Sequence, residues 1–188
     1  MKIQANTIRA GMVIENEGKQ WSVLKIQLLQ PGKGGAFIQV EMRDVATGVK
    51  SQARWRTADT VERLEVRQHE CQFLFREGDI FTFMDNESFD QFNVPAELVG
   101  ERAIFLQDNM NVTVDFIEGK PVSVNLPQTV VLTVVEADPV VKGQTASSSY
   151  KPGKLENGAK IMLPPFVDAG TRVVVSTEDG SYVERAKD

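Results

Sequence analysis

The sequence has few of the residues that build metal sites and nucleophilic active sites. Its 188 residues include one cysteine, Cys71, and one histidine, His69. A single cysteine excludes an internal disulfide and suits a reducing compartment, and two such side chains are too few for a structural zinc site, which normally takes four ligands. A Ser-His-Asp triad would have to use His69, and no nucleophile elbow accompanies it. Dinucleotide-binding glycine patterns are also missing, so we expect no metal, no cofactor and no intrinsic enzymatic activity.

Long apolar runs are absent as well. No stretch of about 18 apolar residues occurs, so the sequence predicts no transmembrane helix, and the first residues lack the apolar core of a secretory signal. The composition, 41% hydrophobic and 25% charged, is ordinary for a soluble globular protein. We therefore expect a cytoplasmic protein with no membrane partner.

Positive charge is in deficit overall, at a net charge of −5, but it is unevenly distributed. Residues 1–64 carry ten Lys/Arg and six Asp/Glu, residues 65–127 carry four and twelve, and residues 128–188 carry seven and eight. The basic excess is confined to the first third. A basic patch is typical of proteins that bind a phosphate backbone, but a solvated basic surface explains this modest excess equally well.

Short alternating runs separated by Gly, Pro and Asn turns account for most of the chain. Several short strands at close spacing favour small β-barrels over a helical or doubly wound fold. A Leu-Pro-Gln sequence at 126–128 marks a boundary, and we expect three barrels at 1–64, 65–127 and 128–188. In detail, the pattern predicts a turn at 14–19, one short helix from Pro95 and an exposed polar loop at 142–153. It also predicts that six phenylalanines form the core of the second barrel: Phe73, Phe75, Phe81, Phe83, Phe89 and Phe92.

The segment 30–37, Gln-Pro-Gly-Lys-Gly-Gly-Ala-Phe, separates two runs that alternate like strands. A short segment rich in Pro and Gly between such runs predicts a β-hairpin. Lys33 is the long side chain of this loop, and its neighbours are the smallest residues available. A phosphate-binding loop is excluded because Lys33 is followed by Gly34 and then by a strand, where the Walker pattern needs Ser or Thr and a helix. The pattern alone therefore predicts a hairpin turn with a solvated lysine at its tip.

Three separated motifs are Pro-Gly-Lys-Gly-Gly-Ala-Phe at 31–37, Phe-Met-Asp-Asn-Glu-Ser-Phe-Asp-Gln at 83–91 and Gly-Ser-Tyr-Val-Glu-Arg at 180–185. Together they resemble the bacterial elongation factor P family. The resemblance covers essentially the whole chain, in order and with matching spacing. It implies an all-β protein in an L shape, with an SH3-like (KOW-type) barrel followed by two OB-fold barrels. It also implies a translation elongation factor that binds the ribosome between the P and E tRNA sites and relieves stalling at consecutive prolines.

The same resemblance assigns roles to the glycine-rich loop. The tip residue carries a post-translational extension in many family members, and Lys33 occupies that position. Lys33 is thus the candidate modified lysine, and Pro31, Gly32, Gly34 and Gly35 complete the loop that would reach the peptidyl transferase centre. The implied partners are the ribosome, with its P-site peptidyl-tRNA and ribosomal RNA, and a lysine-modifying enzyme that acts on a monomeric factor.

Tyr182 and Arg185 match a C-terminal Tyr and Arg that the family uses near the P-site tRNA. Arg binds phosphate, and Tyr stacks or hydrogen-bonds, so both residue types suit the role. A strand-end pair that packs the third barrel explains them equally well. The chain departs from the family pattern at Gln30, where a lysine often stands, and in the loop 143–149. Two alternatives stay open: a paralogue with a divergent target, and a general OB/SH3 RNA-binding module.

Overall fold

Strands make up most of the protein, and helices are few. The computed structural model describes residues 1–139 and 149–187. Within these ranges helical structure is limited to α1 (Ala96–Val99) and two 3₁₀ segments, Ala5–Thr7 and Gly100–Phe105. The predicted short helix is α1, and Pro95 is its N-cap. The all-β prediction is confirmed, and no helix of the described part is long and apolar enough to cross a membrane.

The first sheet contains six strands. They are β1 (Lys2–Gln4), β2 (Val13–Asn16), β3 (Lys19–Leu29), β4 (Phe37–Asp44), β5 (Lys50–Arg56) and β6 (Thr60–Leu64). All neighbours pair antiparallel, in the order β1-β6-β2-β3-β4-β5. Alternate residues of β4, namely Ile38, Val40 and Met42, are buried and pack against Ile14 and Val23. One face of the sheet is therefore core, as the period of two requires, and the other face is presented outward.

The predicted turn at 14–19 is wrong in its limits. Strand β2 continues to Asn16, and the fully buried Ile14 pairs with Trp21 of β3. Only residues 17–18 form the turn. The alternation of polar and apolar residues does not predict β1 and β6. Strands of three to five residues are too short to display a clear alternation, so periodicity does not reveal them.

The second sheet contains five strands. They are β7 (Val66–Glu77), β8 (Ile80–Asp85), β9 (Gln91–Pro95), β10 (Asn111–Ile117) and β11 (Lys120–Asn125), in the order β11-β10-β7-β8-β9. Phe73, Phe81 and Phe83 are buried, and the ring of Phe73 lies 5.8 Å and 5.5 Å from the other two. These rings form an aromatic core, as predicted.

Two of the six phenylalanines assigned to that core are exposed. The side chain of Phe75 is 48% exposed and that of Phe89 is 69% exposed. A bulge between Phe73 and Phe75 shifts the register, so these two residues no longer share a face. Phe89 lies in the turn between β8 and β9, at a φ of 63°. The alternation of buried and exposed residues does not hold at a bulge or in a turn, so it assigns Phe75 and Phe89 to the core incorrectly.

The third sheet contains the last five strands. They are β12 (Thr129–Ala137), β13 (Lys151–Leu155), β14 (Lys160–Leu163), β15 (Arg172–Ser176) and β16 (Tyr182–Arg185), in the order β14-β13-β12-β15-β16. Val134, Leu155, Leu163, Val173 and Val175 are buried completely. Strand β16 ends the sheet.

The predicted polar loop at 142–153 extends too far. Residues 142–148 lie outside the described residues, and residues 151–153 belong to β13. The Lys-Pro-Gly sequence hides this strand, because Pro and Gly are depleted in strands. Packing explains the glycine: a Cβ on Gly153 would lie 2.3 Å from Leu163 Cδ1 and 3.2 Å from the carbonyl oxygen of Glu136.

The predicted site residues fall in different parts of the chain. One compact unit comprises Met1–His69 and Val114–Ser123, and the other comprises Glu70–Thr113 and Val124–Asp188. The first unit contains the whole first sheet and Lys33. The second contains the whole third sheet with Tyr182 and Arg185.

Candidate functional site

The loop of residues 30–36 closes the hairpin between β3 and β4. The two strands stay paired up to Leu29 opposite Phe37, so Lys33 is the middle residue of the loop. Residues 30–35 are all exposed. At the end of the loop, the carbonyl oxygen of Ala36 accepts a hydrogen bond from the Thr57 N–H at 3.2 Å. A paired stem thus presents a single amine to solvent.

The ammonium group of Lys33 keeps its charge available for an external partner. Across residues 1–139 and 149–187, no carboxylate lies within 4.0 Å of its Nζ. The loop residues on both sides carry no charge. Nothing in the described structure neutralises this cation.

The glycines of the loop have two different explanations. Gly34 has a φ of +105°, a conformation that side chains rarely adopt, so its backbone requires glycine. Gly32 and Gly35 lie outside that region of φ, and a Cβ on either would meet nothing within 4 Å. Neither backbone strain nor crowding within the described chain accounts for these two. Their effect is to keep the loop thin on both sides of Lys33.

Below the loop, the outward side of β3, β4 and β5 is strongly basic. Direct pairing puts Arg43 opposite Lys50, and it puts Phe37, next to the loop, opposite Arg56. We call this surface the basic face; its charged residues are Lys25, Glu41, Arg43, Lys50, Arg54 and Arg56. Five of these six residues are cations. Sequence reasoning found the basic excess of residues 1–64, but it did not single out Lys25 and Arg43. The signal for these two is the alternation of polar and apolar residues along β3 and β4.

Neighbouring side chains hold part of the basic face in place. The guanidinium of Arg54 lies 5.9 Å from the centre of the Phe37 ring, and its Nη2 donates to Gln39 Oε1 at 3.5 Å. Gln39 Nε2 in turn donates to Gln52 Oε1 at 3.0 Å. A surface of fixed cations, amides and one aromatic ring has the chemistry to bind a phosphate backbone.

Tyr182 and Arg185 share a face of the third sheet because of a β-bulge. Tyr182 pairs with Val175 and Arg185 pairs with Val173, and the register shifts between Val174 and Val175. Residues three apart on a regular strand would point to opposite faces. Partial burial raises the pKa of the Tyr182 phenol, and the positive charge of Arg185 opposes that rise. The structure thus brings these two residues together, while Lys33 belongs to the other unit.

The remaining reactive side chains pack within the fold. His69 lies edge-on to the Phe116 ring, with centres 5.1 Å apart. Cys71 is buried; burial first, and the charge of Asp85 second, raise its pKa to about 11. The thiol is therefore neutral at physiological pH. Within the described ranges no three His, Cys, Asp or Glu side chains are grouped in a way that could hold a metal ion.

Family models match nearly the whole chain in three consecutive segments. Residues 4–61 match the elongation factor P (EF-P) KOW-like domain, residues 66–124 the elongation factor P (EF-P) OB domain, and residues 130–185 the elongation factor P C-terminal domain. The fold class is therefore that of KOW-like and OB domains.

Curated relatives agree over the full length. The chain is 69% identical to elongation factor P of Rhodospirillum rubrum and 64% identical to that of Acidiphilium cryptum, each alignment covering 100% of both chains. Among solved structures it is similar to eukaryotic translation initiation factor 5A from Methanococcus jannaschii, with a TM-score of 0.58 and 22% identity over 66% of this chain and 93% of that chain. This structural likeness shows a shared fold. By its three domain matches and its full-length relatives, the chain belongs to the elongation factor P family, and it is a translation elongation factor rather than an enzyme.

Proposed function

We propose that the chain binds the ribosome between the P and E tRNA sites and stimulates peptide-bond formation through Lys33, relieving stalling at consecutive prolines. The observation that carries the proposal is the presentation of Lys33. Its amine stands at the middle of an exposed loop, on a paired stem, with no carboxylate of the described residues beside it. Family membership supports action on the ribosome.

The chemistry of proline explains why a positioned cation would help. Its ring fixes φ and restricts the nascent chain, so reactive geometries are reached less often. A cation held near the terminal adenosine of the peptidyl-tRNA would stabilise a productive arrangement of the reactants. This is catalysis by orientation, performed on the chemistry of the ribosome. The factor would supply no reacting group of its own.

The glycines beside Lys33 support an approach through a narrow channel. As described above, nothing within the described chain requires glycine at positions 32 and 35. A requirement from outside accounts for them, because ribosomal RNA would leave little width for side chains at these positions. Pro31 presets the backbone where the loop begins.

The distribution of charge supports a definite orientation toward RNA. The basic face would lie against the phosphates of tRNA or ribosomal RNA, where cations displace counterions. Residues 65–127 carry twelve acidic and four basic residues and would be repelled there, so they would face protein or solvent. Tyr182 and Arg185 would provide a second contact with the P-site tRNA, because Arg binds phosphate and Tyr stacks or hydrogen-bonds.

The rest of the proposal concerns the state of the factor. We place it in the cytoplasm as a monomer of three domains, 1–64, 65–127 and 128–188. A lysine-modifying enzyme would extend the Lys33 side chain, which is exposed and within reach. The mass of the protein purified from its own host tests this directly: an excess on the peptide that contains residues 31–37 establishes the modification, and an unmodified mass excludes it.

Replacement of Lys33 by Ala tests the function itself. Two reporters, one with a Pro-Pro-Pro stretch and one without, are translated in cells that carry wild-type protein, Lys33→Ala or the control Lys2→Ala, which removes an exposed lysine of β1. We expect Lys33→Ala to reduce synthesis of the proline reporter alone, and the control to match wild type. Equal synthesis of both reporters with Lys33→Ala would falsify the proposal.

The reporter experiment, together with a measurement of RNA affinity, separates the alternatives. A paralogue with a divergent target would leave the proline reporter unaffected and alter the translation of other messages. A general RNA-binding module would lose RNA affinity when cations of the basic face are removed, with no dependence on proline. Each outcome differs from the selective loss that we expect.

A further inference from the structure

Phe166 is a large apolar side chain that the third sheet presents to solvent. It lies between β14 and β15 and is 55% exposed. The residues on either side are anchored: Pro164 and Val167 are buried, and the Val167 N–H donates to the Pro164 carbonyl at 3.1 Å. Pro164 and Pro165 also limit the backbone before the ring. The exposed ring therefore stands on a fixed turn.

The guanidinium of Arg185 lies over this ring, 5.1 Å from its centre. The backbone beneath it is held by pairing with Val173 and by the Ala186 N–H, which donates to the Arg172 carbonyl at 2.9 Å. No carboxylate among residues 1–139 and 149–187 lies within 4.0 Å of the Arg185 side chain. The ring of Phe166 thus lies against this charge, and a ring face leaves the in-plane N–H donors of a guanidinium available.

Arg185 also borders a concave surface of basic character. The described residues that line it together with Arg185 are Arg172, Lys187, Glu184, Gly170, Thr171 and Ala186. Three cations around one concavity suit a phosphate group. Arg185 therefore lies over an aromatic ring and also lines a concavity where an RNA phosphate would fit.

We propose that Phe166 is a positioning residue for RNA binding, because its ring holds the guanidinium of Arg185 at the edge of this basic concavity with its donors turned toward a backbone phosphate. The inference rests on the function proposed above and adds to it the residue that orders the C-terminal contact. A long arginine side chain loses rotamer freedom when it binds, and a ring that orders it beforehand reduces that cost. The ring itself makes no contact with the RNA.

The geometry can be tested without ribosomes. NMR spectra of the full chain should show the Arg185 side-chain protons shifted upfield by the ring current of Phe166. The shift should vanish in Phe166→Leu, which keeps an apolar side chain without a ring, and it should persist in Phe166→Tyr. An Arg185 resonance that is identical in wild type and Phe166→Leu overturns the inference.

The function of the ring is tested by affinity for 70S ribosomes with a peptidyl-tRNA in the P site and a vacant E site. The loss of a cation–π interaction at an exposed site corresponds to a change of about two- to fivefold in affinity. Phe166→Leu should therefore raise Kd by about that factor. The charge remains, so the slope of log Kd against log salt should not change, whereas Arg185→Ala should reduce that slope by about one. Phe166→Tyr should bind like wild type. Phe75→Leu, which replaces another half-exposed phenylalanine, is the control.

The double variant separates positioning from other roles. If Phe166 acts through Arg185, then Phe166→Leu adds nothing to the loss in an Arg185→Ala protein. An equal additional loss there would mean a direct or purely structural role and would overturn the inference. Wild-type binding by Phe166→Leu alongside weak binding by Arg185→Ala overturns this inference alone. Wild-type binding by Arg185→Ala overturns the tRNA contact proposed above, and this inference with it.

Discussion

Lys33 and Arg185 are two exposed cations that the fold holds in opposite ways. Lys33 stands in a loop whose glycines meet nothing, and no ring or carboxylate of the described residues adjoins it. Arg185 lies on a paired strand, over the ring of Phe166, beside a basic concavity. Lys33 is thus exposed on a thin loop, whereas Arg185 is held against a ring and by a paired backbone.

The difference suggests a division of labour. A lysine on a thin loop can enter a confined space, adapt there and accept a covalent extension. A guanidinium ordered by a ring loses less freedom on binding, so it contributes affinity and register. We therefore expect Lys33 to determine the rate of peptide-bond formation in the bound complex. Arg185 should determine the affinity of the factor for the ribosome.

The largest expected effect separates rate from affinity. In a purified translation system that forms a Pro-Pro bond, Lys33→Ala should lower the rate at saturating factor by about ten- to a hundredfold, because orientation of the reactants is lost. Arg185→Ala should leave the saturating rate near wild type and raise the half-saturating concentration by about tenfold, the value of a charged hydrogen bond. Rapid-quench kinetics over a range of factor concentrations measures both. If the two variants change the same parameter, the division of labour is wrong.

The glycines of the two regions should differ in their effect on stability. Gly153→Ala forces a Cβ against Leu163 and the Glu136 carbonyl, and overpacking of this kind costs about 2 kcal/mol in the free energy of unfolding. Gly32→Ala adds a methyl group in open space and should change that energy by less than about 0.5 kcal/mol. Denaturant unfolding measures both. Gly32→Ala should nevertheless reduce activity on proline stretches, and full activity would show that the width of the loop is unimportant.

Replacement of a cation of the basic face should have a smaller effect, and this effect should not depend on whether the translated message encodes consecutive prolines. Arg54→Gln or Arg56→Gln removes one phosphate contact, so the slope of log Kd against log salt for ribosome binding should fall by about one in each variant. The saturating rate should be unchanged, unlike that of Lys33→Ala. Lys2→Ala serves as the control outside the face. An unchanged slope in both arginine variants would place the RNA elsewhere.

The smallest effect concerns pH and compares turns of the first and third sheets. The Ala46 N–H, at 2.8 Å from Asp44 Oδ1, is the main cause of a lowered pKa at Asp44, and the hydroxyl of Ser181 has that role at Asp179. The unfolded chain then binds more protons near pH 4, so the stabilisation is complete above the unfolded pKa and is lost as pH falls through the folded pKa. Asn substitutes for Asp in such turns. Asp44→Asn and Asp179→Asn should therefore each make unfolding less dependent on pH below about pH 4, as measured by thermal melts from pH 2.5 to 6.

The sequence predicts these regions unevenly, for physical reasons. The lysine loop is determined by local sequence, because Pro and Gly set its backbone. Both flanking strands are long enough to show a pattern, so the loop can be located from the sequence. The contact between Arg185 and Phe166 joins residues that are 19 positions apart, and the shared face of Tyr182 and Arg185 depends on one bulge. Alternation alone puts Tyr182 and Arg185 on opposite faces, just as it puts Phe75 in the core. Bulges change which residues share a face, and sequence periodicity carries no mark of them.

The bulge in β15–β16 also bears on how the protein avoids self-association. Strand β16 ends the third sheet, and Val183 on it is 50% exposed, so a regular β16 would offer an apolar template to a strand of another molecule. The bulge interrupts the even spacing of backbone donors and acceptors, and Glu184 and Arg185 add charge to the same edge. We therefore expect the irregularity that puts Tyr182 and Arg185 on one face also to hinder the pairing of β16 with a strand of another molecule. A redesign that straightened this strand would put Tyr182 and Arg185 on opposite faces of the sheet.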